Sequence, residues 1–392
     1  MRAVREAQLP WVPSTREVAI AGIGLGTFAF LFTLPPFNAR APWWPVLMGV
    51  AAIAAGIWAA ARGVHRAGYG AVAVGTLGIA MGLLATRASE GNLEQVVGWS
   101  ALLSATLVWA TPLTFAAIGG IFSERSGVAN IGLEGMMLSG AFFAVLGADK
   151  LQSWELGLVC AMIAGGGLAL IHAFMSIHLR ADQIISGTAI NFFALGVTGY
   201  FFIQIYENGT PGNIPRIPDI NVGLLGSVFG QLNLMIWFSF LLLILAHVTL
   251  FKTPVGLRIR SVGEHPRAAD TVGISVYAIR YAAVVLSGML AALGGAYLSI
   301  GYLGSFGENM TAGRGFIALA AVIFGNWRPF GAFAAALLFG GSTALSFRLQ
   351  QPWGNASVLF QALPYVLTLI AVAGVIGRST PPAAVGRPYV KQ

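Results

Sequence analysis

Charge is scarce in this chain. Asp, Glu, Lys and Arg make up 9% of its 392 residues, against roughly 25% in soluble domains. With 57% hydrophobic residues and a mean hydropathy of +0.78, that scarcity excludes an ordinary soluble fold. Cysteine is nearly absent too: Cys160 stands alone in an apolar run, which rules out an intramolecular disulfide and leaves it the role of a small buried hydrophobe. The only lysines are Lys150, Lys252 and Lys391, and none follows the glycine spacing of a phosphate-binding loop. His65, His172, His178, His247 and His265 are scattered without metal-ligand spacing. Neither a His-Glu-x-x-His pair nor a Gly-x-Ser-x-Gly elbow occurs. An enzyme reading therefore finds little support.

What is present is a series of apolar runs of helix-spanning length. They lie at about 18–35, 43–61, 69–86, 97–121, 135–148, 156–178, 183–204, 230–251, 274–302, 313–326, 331–347 and 356–377. The expected fold class is all-α, a polytopic transmembrane helical bundle of about 11–12 spans. The first run follows Arg2, Arg5 and Arg16 and lacks a small-residue cleavage pattern, so it reads as a retained signal-anchor helix. Residues 135–148 reach only about 21 Å at 1.5 Å per residue, short of the roughly 30 Å hydrocarbon core. Segment 313–326 is similarly short. Each is either a broken or re-entrant helix or a tilted one with helical residues assigned to loops.

The net charge of +8 does not point to nucleic acid, because the basic residues sit in short loops and tails between apolar runs. If all twelve runs cross, cytoplasmic N- and C-termini put sixteen of the twenty-two Lys and Arg inside, leaving outside Arg40, Arg87, Lys150, Arg216, Arg314 and Arg348. The positive-inside rule favours that orientation. Residues 1–95 read as accessory N-terminal transmembrane segments, 96–378 as the core, and 379–392 as a basic, disordered cytoplasmic tail. Small residues recur at four-residue spacing, as in Ser287, Ala291 and Gly295, which lets helix backbones approach closely in lipid.

Polar interruptions are few enough to be conspicuous. The stretch 123–135 breaks two apolar runs: Gly127 permits a turn, Asn130 suits a helix N-cap, and Glu134 falls in the first turn of the following helix, against its dipole. Glu124 and Arg125 read as lying at the cytoplasmic boundary. A second break, 304–315, carries Glu308 and Arg314, which are expected to pair. The internal segment 252–273 alternates Val255, Leu257, Ile259 and Val262 with Arg258, Arg260 and Glu264. Its part from Pro266 to Gly273 reads as a short amphipathic helix that suits docking onto a soluble partner as well as it suits a solvated basic loop. Thr111, Ser139, Asn191, Phe192, Phe193, Glu308 and Asn309 are candidates for a substrate pathway, since amides and hydroxyls beside aromatics suit a sugar or base. Such residues also commonly bond a neighbouring helix.

Thr111-Pro112-Leu113 together with the run from Glu124 to Met137 (Glu-Arg-Ser-Gly-Val-Ala-Asn-Ile-Gly-Leu-Glu-Gly-Met-Met) closely resembles the permeases of bacterial nucleoside ABC importers. These belong to a wider group that includes ribose and branched-chain amino-acid permeases. Residues 256–269 resemble the loop by which that group docks its ATPase, and Gly325-Asn326-Trp327-Arg328-Pro329 fits the same pattern. The resemblance covers about residues 97–378. It implies a non-catalytic subunit of the bacterial plasma membrane that binds no cofactor, its ATP being used by a separate ABC ATPase subunit. It also implies a second related permease in a heterodimer and an extracytoplasmic substrate-binding lipoprotein. By the same resemblance Arg258, Gly263, Glu264, His265, Arg267 and Ala268 belong to the ATPase-docking loop, and Glu124, Arg125, Ser126, Gly127, Asn130 and Glu134 to the family motif. A permease for a related sugar or base is the alternative. An ion-coupled secondary transporter is a further one, against which the acidic residues cluster near boundaries and loops.

Overall fold

In the computed structural model the residues described are 14–31, 41–88, 99–207, 209–221, 226–229, 231–350 and 379–390. The chain forms two compact units, one built from residues 1–102 and 345–378, the other from 103–344 and 379–392. Among the described residues seven helices are long and apolar enough to cross a membrane, and the protein is a multi-pass, all-α membrane protein. Of the twelve apolar runs in the sequence, eleven are helical, and 356–377 lies outside the described residues.

In the first unit α1 (Thr15–Leu31), α2 (Trp43–Ala61) and α3 (His65–Ala88) all pack on one another. Glycine governs the approach. A Cβ on Gly75 would stand 2.8 Å from the Gly49 carbonyl, and one on Gly68 2.6 Å from that of Gly56. Backbones this close leave room for nothing larger, which is how helices gain dispersion contact where lipid supplies no hydrophobic drive.

The second unit takes α4 (Trp99–Arg125) from residue 103 onward, with Pro112 inside it, and then α5 (Leu133–Leu151). At 19 residues α5 spans about 28 Å. The sequence reading cut it short at charged Glu134, Asp149 and Lys150, which belong to the helix. α6 (Trp154–Ala173) is capped by Ser153 and ends in a π turn, Phe174–His178. α7 (Gln183–Tyr206) starts at Asp182, whose carboxylate accepts from the Ile184 and Ile185 amides at 2.8 and 3.1 Å. The loop that follows carries a small antiparallel hairpin, β1 (Asp219–Asn221) against β2 (Gln231–Asn233), with a one-turn helix α8 (Gly226–Phe229) between its strands. Asn233 then caps α9 (Leu234–Lys252).

Residues 254–271 are helical, and the short helix expected from Pro266 is among them. They form α10 (Pro254–Glu264) and α11 (Pro266–Thr271), each with proline in its first turn, where the missing amide costs nothing. Thr253 caps α10 by accepting from the Gly256 amide. α12 (Val276–Ala296) runs on through a π segment, Tyr297–Leu303, and is the most enclosed of the spans, whereas α7 is mostly open. α13 (Arg314–Phe324) has 11 residues, about 16 Å, so it is a half-helix and not a crossing. α14 (Pro329–Gln350) follows.

The core of this unit is the trio α5, α6 and α12. A Cβ on Gly140 would collide with the Ala292 backbone, one on Gly295 with the Met137 carbonyl, and one on Gly165 with the Ala292 side chain. Gly140→Val should therefore destabilise the detergent-purified protein by about 1–3 kcal/mol through overpacking, read as a lowered thermal midpoint. Gly196→Ala, at an exposed position with nothing within 4 Å, should leave the midpoint unchanged.

Candidate functional site

The turn between α4 and α5 is buried, and its peptide groups are satisfied by side chains from three other helices. Gly127 turns the chain at φ +92°. From α7, Gln183 accepts the Ala129 amide at 2.7 Å, while Asn191 donates to the Ile131 carbonyl at 3.0 Å and accepts the Gly135 amide at 2.8 Å. From α6, His172 places Nε2 3.0 Å from the Ala129 carbonyl and Nδ1 3.0 Å from the Ser186 hydroxyl. A carbonyl only accepts, so Nε2 carries the proton and Nδ1 receives one from Ser186. From α12, Ser287 accepts from the Asn130 side-chain Nδ2 at 3.0 Å. Asn130 is not the N-cap of α5, a position held by Gly132; it lies two residues before, with its own oxygen on the Gly132 amide.

Glu134 does more than face the dipole of its own helix. Its carboxylate accepts from the Thr311 hydroxyl at 2.6 Å, the Gly313 amide at 2.8 Å and the Gly315 amide at 2.6 Å. Gly313 is the N-cap of α13 and offers no side chain, so Glu134 caps that helix from across the fold. A buried anion between two helix N-termini, with three donors, needs no cation. The expected Glu308–Arg314 pair does not form. Arg314 donates to the Met310 and Thr311 carbonyls and lies over the Trp109 ring, and Glu308 is exposed.

At the basic end three sequence motifs meet. Arg125 donates to the Trp327 carbonyl at 3.0 Å and the Asn326 carbonyl at 3.4 Å, and stands 4.0 Å from the Glu264 carboxylate. The Trp327 indole donates to Glu124, which is buried in the last turn of α4. Asn326 and Trp327 both have φ +52°, a left-handed pair that costs free energy at the Trp and persists because these contacts fix it. Gly263 is buried with its Cα against the Arg125 carbonyl, where any Cβ would collide. Arg280 of α12, 1% exposed, donates to the Ser126 carbonyl at 3.2 Å.

The ATPase-docking residues named from the sequence thus divide. Gly263 is buried, Glu264 is exposed but engages the chain itself, and Arg258, His265, Arg267 and Ala268 are exposed. The pathway candidates do not gather around one cavity. Thr111 bonds back to Leu107 of its own helix, Asn191 is spent on the α4–α5 turn, and Phe192, Glu308 and Asn309 face outward. Ser139 and Phe193 share a largely apolar cleft of about 440 Å³ with Phe143, Cys160 and Ala164. Sequence reasoning missed the roles of His172, a polar side chain inside an apolar run, of Gln183 at the head of one, and of Thr311 within the 304–315 break.

The family model for the permease component of branched-chain amino acid transport systems matches residues 102–372. The guanosine ABC transporter permease protein NupQ of Bacillus subtilis is 44% identical, covering 74% of this chain and 97% of that one. The nucleoside ABC transporter permease protein NupC of Lactococcus lactis is 41% identical, over 73% and 95% of the two chains. A putative glucose ABC transporter permease, TsgC13 of Haloferax volcanii, is 36% identical over 64% and 78%. No solved structure matches. The geometry itself makes a prediction: Glu134→Gln presents an amide donor to the α13 amides and should cost about 1.5–3 kcal/mol, the scale of hydrogen bonds to a charged group. A drop in the thermal midpoint of the purified protein checks it, and Glu134→Asp should recover part of the loss.

Proposed function

This chain belongs to the branched-chain amino acid transport permease family, and from that premise we propose that it carries nucleosides inward by alternating access driven by a separate ATPase. It is a non-catalytic membrane subunit of an ABC transport system. The substrate class is supported by the nucleoside and guanosine permeases that it resembles over most of their length. In this reading ATP is used by the partner, this chain binds no cofactor, and both termini face the cytoplasm, in line with the positive-inside rule. A second, related permease completes a heterodimer, and an extracytoplasmic lipoprotein delivers substrate.

The observation that carries the mechanism is the Arg125 junction. α10–α11 cannot shift without displacing the 326–327 turn and the end of α4, because Glu264, Asn326 and Trp327 share one guanidinium and Gly263 leaves no gap against the Arg125 backbone. From α4 the displacement passes through the α4–α5 turn to α5, α6, α7 and α12, whose side chains hold that turn. Glu134 extends it to α13. Force applied at the basic segment thereby reaches the membrane-spanning helices as a switch between packed arrangements.

The glucose permease among the relatives favours a second reading, a sugar substrate on the same scaffold. Uptake of labelled guanosine by the assembled system separates the two: competition by uridine and adenosine but not by glucose is expected, and competition by glucose alone would favour the sugar. Gly263→Val should lower uptake by about tenfold or more, the scale of 1–3 kcal/mol from a backbone clash. ATP hydrolysis by the partner should continue, and membrane insertion, followed by immunoblot of the membrane fraction, should be unchanged.

A further inference from the structure

The basic tail, expected to be disordered, is a strap laid on α10 and α11. Pro382, Ala384 and Tyr389 are buried, and Tyr389 packs with Val262, Ala269 and Val276. The Ala384 amide donates to the Gly263 carbonyl at 2.9 Å and the Ala383 amide to the Glu264 carboxylate at 3.2 Å. Thr380 donates its amide to the Asn326 side chain at 3.0 Å, and the Arg387 carbonyl accepts from Arg280 at 3.3 Å. Burial and the Asp270 carboxylate beside it hold the Tyr389 hydroxyl above its usual range. The strap therefore touches Gly263, Glu264 and Asn326 of the Arg125 junction through its backbone amides, and three of its side chains are buried. Its remaining side chains are left facing out.

Between strap and helices lies an open cleft of about 500 Å³, lined by His265, Arg267, Ala268, Arg387, Tyr389 and Val390 among others. Arg267 and Arg387 are exposed at its edge. Glu264 also lines the cleft, its side chain 46% exposed, but its carboxylate is engaged by Arg125 and the Ala383 amide, and Asp270 lies beside Tyr389. What the cleft offers is positive charge around an apolar floor.

We propose that the strap is half of the docking surface, and that this cleft receives an acidic segment of the ATPase subunit. The inference rests on the proposed function, which assigns α10–α11 to that partner, and extends the interface onto residues 383–390. The occupant is argued from charge complementarity, which steers and orients an encounter, and from continuity with the exposed His265 and Ala268 that line the same cleft.

The test uses the full chain in a Cys160→Ala background, assembled with its own ATPase subunit in inside-out vesicles. Single cysteines replace Ala268 or Val390, and both residues are exposed. Without the ATPase both should react with a membrane-impermeant maleimide; with it, both should be protected. Protection at 268 with undiminished labelling at 390 overturns the strap and leaves α10–α11 as the docking site. Labelling of both in the assembled complex overturns the docking reading as well. A second measurement uses Arg387→Glu, which alters an exposed side chain and leaves the backbone contact to Arg280 in place. It should weaken binding of the purified ATPase by roughly three- to tenfold and flatten its salt dependence. Unchanged affinity with unchanged salt response overturns the proposal.

Discussion

A peptide group freed from a helix inside a membrane protein must find its hydrogen bond within the protein, because hydrocarbon offers none. This constraint organises the second unit. The turn from Ser126 to Gly132 opens α4 from α5; Gln183, His172, Asn191 and Arg280 bond its amides and carbonyls, and Ser287 accepts from the Asn130 side chain. Each of those side chains belongs to a helix otherwise held largely by apolar and close glycine contacts, with few other interhelical hydrogen bonds, such as Tyr206 to Asp149. The turn is therefore the fastener of α6, α7 and α12, and its polarity is the reason it can be one. Glu134 repeats the arrangement on α13, whose glycine N-cap supplies no acceptor of its own.

The basic end obeys a different balance. Arg125, Arg260 and Arg280 crowd a small region, and few carboxylates answer them among the described residues. The guanidiniums are instead spread over backbone carbonyls and aromatic faces: Arg125 on Trp327 and Asn326, Arg125 and Arg260 over the Phe251 ring, Arg280 on Ser126 and Arg387. Arginine suits this because its planar fork reaches several acceptors at once. The result joins segments more than 200 residues apart through one side chain. A junction of that kind moves as a piece, and a subunit with no chemistry of its own needs such a piece to turn a partner's motion into helix rearrangement.

Much of this was legible without coordinates. Composition placed the chain in the membrane, and apolar runs located eleven described helices, because spanning length and hydropathy are local properties. The polar interruptions at 123–135, 252–273, 304–315 and 325–329 were visible as exceptions in a chain with little charge. Partnership was not. Nothing in the spacing of Glu134 and Thr311 foretells their bond across 177 residues, and local reasoning paired Arg314 with the nearby Glu308 instead. The strap was misjudged for a related reason: a short basic, proline-bearing tail has too little apolar surface to order itself, and it is ordered by Val262, Ala269 and Val276, which no window containing residues 379–390 includes.

By itself, then, the sequence determined the membrane class, the positions of most helices, and the few stretches where a polar backbone must be accommodated, since each follows from the hydropathy of neighbouring residues. Tertiary structure alone decided that Gly263 is buried against Arg125 while Arg267 faces out, that Asn191 holds a turn, and that the tail joins the Arg125 junction. Those outcomes depend on which distant acceptor lies within hydrogen-bond reach once the helices pack, and that distance has no local signature along the chain.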